Sequence, residues 1–223
     1  MQTFKILLAV FFATAYFSGF CQGPDKVNLM NGQTFEGTVT DTTDGKITMN
    51  FINKSKTSTR IIENYRVFSI EKANQPELIL YKRDTTIGNF LSPSEMKYYF
   101  LGEKDARKNY NPVNLKIATG VLTYGISLMD TYNRDTVSRK FVKGFFKSEP
   151  GLISIVAPFA VTVISGLFAV QININKVSNK NYLNEQPYID GFEKVARSKK
   201  VFGALTFSIV GGGLGILSYF IAR

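Results

Sequence analysis

The chain has 223 residues, carries a net charge of +10, and contains no His, no Trp and a single Cys. Without histidine there is no Ser–His triad, no Cys–His nucleophile pair and no His-ligated metal; one cysteine makes no internal disulfide and no zinc cluster. No cofactor or metal is expected, the spacing of the 17 Asp and Glu residues marks no acid–base pair, and a non-enzymatic protein is the expectation.

In residues 1–22 a lone Lys5 precedes an apolar stretch from Ile6 to Phe17, and small Ser18 and Gly19 follow. Charged start, apolar middle and small-residue exit are the order of a secretory signal, with Gly19-Phe20-Cys21 ahead of a cut at Gln22. Cys21 has a second reading as a lipidation acceptor, although Phe20 stands where lipoproteins carry a small residue. A cut after Cys21 leaves no thiol in the mature chain, which suits an oxidising envelope compartment.

Residues 23–84 predict a small β-domain. Val27 and Leu29 alternate with polar neighbours, Asn31-Gly32 makes a tight turn, and Phe35, Gly37 and Val39 alternate with Glu36 and Thr38. Asp44-Gly45 turns again into Ile47, Met49 and Phe51; Lys54–Thr59 reads as a polar loop. Further strands are expected at Arg60–Glu63, Tyr65–Lys72 and Glu77–Tyr81, giving an antiparallel barrel or a strongly bent sheet.

The string VNLMNGQTFEGTVTDTTDGKITMNF resembles the opening of an Sm-like or SH3-like small β-barrel. In that pattern an Asn/Asp-Gly turn leads into a strand that bends at a glycine, the place taken here by Gly37. The resemblance implies a fold and no ligand. The nine Lys and Arg of this region face eight Asp and Glu, so no basic footprint for nucleic acid is present.

Residues 85–116 are expected to form a connecting amphipathic helix. Ser92-Pro93-Ser94-Glu95 combines an N-cap, a first-turn proline and a capping-box glutamate. Met96, Tyr99 and Phe100 share a face, and Lys97, Lys104, Arg107 and Lys108 supply cations. That face suits either a membrane interface or the β-domain, and Tyr99 and Phe100 become the candidate interaction surface. Pro112 ends the helix.

Residues 117–223 read as a helical membrane domain. Gly151–Val170 and Val201–Ala222 are free of charge and reach roughly 30 and 33 Å as helices, a bilayer's hydrocarbon thickness. Spans are therefore expected near 151–173 and 201–222, with Pro158 bending the first. Ile117–Met129 is too short alone and reaches a third span, near 111–129, only if Lys116 snorkels to the surface. Thr162 with Gly166, Ala204 with Ser208 and Gly212, and Gly211 with Gly215 are small residues four apart, the spacing that lets helix backbones meet in lipid. They serve a hairpin within the chain or, alternatively, a homo-oligomer. Gly102-Glu-Lys-Asp-Ala-Arg and Gly191-Phe-Glu-Lys-Val-Ala-Arg form a weak repeat, each leading into an apolar run.

The expected class is thus α+β: a small antiparallel barrel or bent sheet, then a transmembrane helical hairpin of two spans with a third in reserve. The layout also resembles uncharacterised envelope membrane proteins of Gram-negative bacteria, a likeness that implies no activity. The expected location is the bacterial inner membrane with the β-domain in the periplasm. The expected role is an adaptor or structural part of an envelope assembly, with lipid and other envelope proteins as partners and no nucleic acid. The alternatives are a small channel or transport accessory of oligomerised Gly-rich helices, or a membrane-bound carboxylate enzyme.

Overall fold

The computed structural model describes residues 23–53, 56–73, 75–132 and 149–222. The expected signal with Cys21, part of the expected loop at Lys54–Ser55, and the basic segment 133–148 lie outside the described residues. The chain divides between Asn89 and Phe90 into two units.

The first unit is a six-stranded antiparallel sheet: β1 (Asp25–Leu29), β2 (Thr34–Asp41), β3 (Lys46–Asn53), β4 (Lys56–Glu63), β5 (Val67–Glu71) and β6 (Leu78–Ile79), in the order β4-β3-β2-β1-β5-β6. The barrel alternative is corrected: β4 and β6 are edges and do not pair, so the sheet stays open. With only two residues, β6 is too short to close it. Partner exchange happens within β2. Asp25 of β1 faces Gly37, whereas the next residue, Thr38, pairs with Asn50 of β3, and a register shift follows between Val39 and Asp41. A Cβ on Gly37 would lie 2.5 Å from the Asn50 carbonyl oxygen, so the crossover requires glycine. Asp25 braces it: its carboxylate accepts the Val39 N–H at 2.9 Å and the Ala73 N–H at 3.3 Å.

The expected alternation holds in the core, where Val27, Leu29, Ile47, Met49, Ile62, Val67 and Ile70 are buried together under Phe35, Val39 and Phe51. Three strands differ from their expected bounds, and the last, β6, covers only Leu78–Ile79 of the expected Glu77–Tyr81. Strand β4 starts at Lys56, inside the expected loop, because Thr57 and Thr59 are β-branched residues well suited to an exposed edge. Tyr65 lies in a 3-10 turn, and the strand after it begins at Val67.

Among the described residues the second unit holds four α-helices: α1 (Pro93–Asn109), α2 (Val113–Asp130), α3 (Leu152–Leu167) and α4 (Gln186–Ala222). The α1 capping box is present: Ser92 Oγ accepts the Glu95 N–H at 3.3 Å, and Glu95 accepts the Ser92 N–H at 2.7 Å. Among the described helices α4 alone is long and apolar enough to cross a bilayer, at 37 residues, and only 28% of its apolar window is buried. The stretch expected to span near 151–173 is a helix of 16 residues, about 24 Å, shorter than the expected bounds. It stops because Phe168 turns extended and its carbonyl accepts the Lys200 ammonium instead of a helical N–H. The stretch expected near 111–129 is an 18-residue helix carrying Lys116.

Contacts climb together along α1–α2 and α4. Gly102 meets Tyr188, Lys116 meets Gly203, Gly120 meets Gly211, and Ser127 meets Gly215. The segment 93–130 therefore runs parallel to α4, and α3 packs against both. Burial in this bundle is inverted. Thr119, Thr123, Ser127, Ser154, Thr162, Ser165 and Ser208 are inside; Leu152 is 74% exposed, Val163 66%, Phe202 68% and Ile221 85%.

Candidate functional site

The polar end of the helical unit is the junction of α1, the start of α2, the exit of α3 and residues 186–200 of α4. Two glycines set its spacing. A Cβ on Gly102 would lie 2.0 Å from the Tyr188 carbonyl oxygen, and one on Gly191 2.1 Å from that of Tyr99. Each glycine sits three residues after the tyrosine that the other copy touches, so the weak repeat in the sequence is two helix faces packed reciprocally. Phe192, Val195 and Ala196 complete the contact against Ala106.

Charged groups are buried at this contact. Asp105 accepts the Tyr188 hydroxyl at 2.7 Å, the Ser178 N–H at 3.0 Å and the Ser178 hydroxyl, tying the loop after α3 to α1. Burial, then the hydrogen bond and charge of Asp105, push the Tyr188 hydroxyl far above the ordinary tyrosine value. Glu103 is 1% exposed, and its Oε1 lies 3.0 Å from the Lys194 ammonium. Its carboxyl stays above the ordinary value because burial outweighs the attraction of Lys194 and Arg107. Lys199 donates to the carbonyls of Ala106, Arg107 and Tyr110, the last turn of α1, where a cation complements the helix dipole. Burial, then repulsion from Lys116 and Arg107, holds Lys199 below its ordinary value.

Beside this contact lie two adjoining hollows, of about 360 and 520 Å³. They share Tyr110, Asn111, Asn114 and Gln171. Lys200 lines the smaller and Lys176 the larger, and none of the lining residues is acidic. Their floor is the start of α2, which has Pro112 at its N-cap, no side-chain cap and no acidic residue in its first turn.

The candidate residues from the sequence fall elsewhere. Phe100 is buried, 4% exposed, and Tyr99 is half-buried, its backbone against Gly191 and the Lys194 ammonium 5.2 Å from its ring. The small residues line the bundle seam. A Cβ on Gly211 would meet the Gly120 carbonyl oxygen at 2.0 Å, one on Gly215 the Ser127 Cβ at 2.5 Å, and one on Gly212 Pro158 at 3.1 Å and Thr123 at 3.3 Å. Ala204 and Ser208 are fully buried, Thr162 donates to the Pro158 carbonyl at 2.7 Å, and Gly166 faces Val201. The matching row, Thr119, Thr123 and Ser127 on α2 with Thr131 at its C-cap, was missed, although its four-residue spacing is readable. Asp130 was missed as well. Its Oδ2 accepts the Gly151 N–H at 2.7 Å, the Ser154 hydroxyl at 2.7 Å and the Ser154 N–H at 3.2 Å, capping α3 from the end of α2.

Comparison of the chain with family models, with curated protein sequences and with solved structures finds no match. Among the described residues no group of three or more Cys, Asp and Glu could hold a metal ion.

Proposed function

We propose that this is an exported bacterial integral membrane protein, without catalytic activity, that presents its β-sheet unit outside the cytoplasm as an adaptor in an envelope assembly. The observation that carries the membrane part is the inverted burial of the helical unit. In water, large aliphatic and aromatic side chains go inside and hydroxyls stay out; here Leu152, Val163 and Phe202 are exposed around a seam of Ser, Thr and Gly. Lipid removes the cost of that exterior, and small residues then give close helix contact.

Three crossings fit this packing better than two. With α3 and α4 alone crossing, α1 stays on the side of the sheet while residues 186–200 lie on the other. Yet α1 packs on 186–199 through Gly102, Gly191 and Lys199. A third crossing by α2 returns both to one side. At about 27 and 24 Å, α2 and α3 are shorter than a typical core, which local thinning of the bilayer and snorkelling of Lys116 accommodate. The adaptor role is supported by the open edge of β4, eight residues whose outer side pairs with no described strand and where Ile61 is 64% exposed.

The test is membrane extraction followed by cysteine labelling in a Cys21→Ala background. Carbonate washing should leave the chain in the pellet. A membrane-impermeant maleimide applied to intact spheroplasts should label Thr57→Cys and Lys180→Cys and spare Ser138→Cys. Release by carbonate would remove the membrane reading, and labelling of Ser138→Cys without Lys180→Cys would restore two crossings.

A further inference from the structure

The geometry points to the paired hollows at the helix junction as a binding site for the phosphate of an anionic phospholipid headgroup. The inference rests on the membrane reading and adds a ligand to it. The hollows lie at the level where the helices change character. Asn111, Asn114 and Gln171 line them, while Ile117 and Phe168, 52% and 63% exposed, begin the apolar exterior. A headgroup seated here can therefore leave its acyl chains along α2 and α3.

The lining chemistry selects an anion. Lys200 is 3% exposed, and no carboxylate pairs with it among the described residues. A buried ammonium is costly unless its charge is answered. It has three donors, and the Phe168 carbonyl takes one. The carboxamides of Asn111, Asn114 and Gln171 add neutral donors, and the unneutralised start of α2 contributes a partial positive charge. Lys116 and Lys199 stand nearby; Lys116 is hydrogen-bonded to Asn111 Oδ1 at 2.9 Å. With no acidic residue in the lining, nothing is supplied to hold the cationic part of a zwitterionic headgroup.

The full chain, purified in detergent, would be titrated with phosphatidylglycerol, phosphatidylcholine or inorganic phosphate and read by native mass spectrometry and thermal unfolding. Phosphatidylglycerol should bind the wild type with one-to-one stoichiometry and raise its melting temperature, and phosphatidylcholine should not. Lys200→Met should weaken that binding by about tenfold, the loss expected for one charge-assisted hydrogen bond. Because Lys200 also holds the end of α3, the exposed pair Asn114→Leu with Gln171→Leu is the second variant, and it should weaken binding while unfolding like the wild type without lipid. Unchanged phosphatidylglycerol binding in both variants, or equal binding of phosphatidylcholine, overturns the assignment. Saturation of the same site by inorganic phosphate alone overturns the lipid source and leaves a soluble phosphate ligand. Carbonate extraction, scored separately, reports on the membrane reading itself, which can hold while this site fails.

Discussion

Gly211 and Gly213 are two positions apart on one helix and meet different surroundings. Gly211 lies on the Gly120 backbone, where a side chain has no room, whereas a Cβ on Gly213 meets nothing within 4 Å. Gly211→Leu should force α2 from α4 and lower stability by about 1–3 kcal/mol or more, as overpacking does. Gly213→Ala should be neutral or raise it by up to about 1 kcal/mol, since glycine is a poor helix former. Thermal unfolding in detergent checks both; equal losses would contradict the packing. Asp130 makes a second residue-scale case. Its carboxylate is the N-cap that Gly151 cannot supply, so Asp130→Ala should cost about 1–2 kcal/mol in the same assay, and Asp130→Asn less.

Within elements, β2 holds a close backbone approach at Gly37 and the α1–α4 contact holds buried charge. Gly37→Val drives a side chain into the Asn50 carbonyl and should lower the melting temperature of the sheet, whereas Gly45, at φ 70° in an open turn, should tolerate Asn. Glu103 gives the α1–α4 contact a pH dependence. Its carboxyl is held above the ordinary value, so the folded chain binds this proton more tightly than the unfolded one. Stability from this group is therefore greatest below the ordinary carboxylate value and declines as pH rises through the raised one. Glu103→Gln should flatten that decline in unfolding curves recorded from the carboxylate range upward; an unchanged slope would assign it to another group. The capping box at Ser92 and Glu95 is the contrasting element, since sequence spacing alone located it.

At the scale of the whole molecule, the two units arrange polarity in opposite ways. The sheet unit buries aliphatic residues and exposes charge; the helical unit buries hydroxyls and glycine and exposes Leu, Val, Ile and Phe. The small-residue rows on α3 and α4 are occupied by neighbours within the chain, leaving the outer faces large and apolar. The purified protein should accordingly sediment as a monomer in detergent. A stable oligomer that persists on dilution would bring back the channel alternative.

Local signals alone determined much of this: the alternation of Val27, Leu29, Ile47 and Met49, the turns at Asn31-Gly32 and Asp44-Gly45, the capped start of α1, and the apolar run of α4. Each depends on neighbours within a few residues, where periodicity and turn chemistry act directly. Only the tertiary structure decided that the sheet is open, that Phe100 is buried, that Phe168 leaves the helix toward Lys200, and that Asp130 caps α3 across 21 residues. It also turned a faint repeat into the reciprocal Gly102–Tyr188 and Gly191–Tyr99 contacts. Those outcomes depend on which groups distant in the chain meet in space, by hydrogen bond at Phe168 and Asp130 and by close packing at the glycines, and a linear spacing carries no record of that distance.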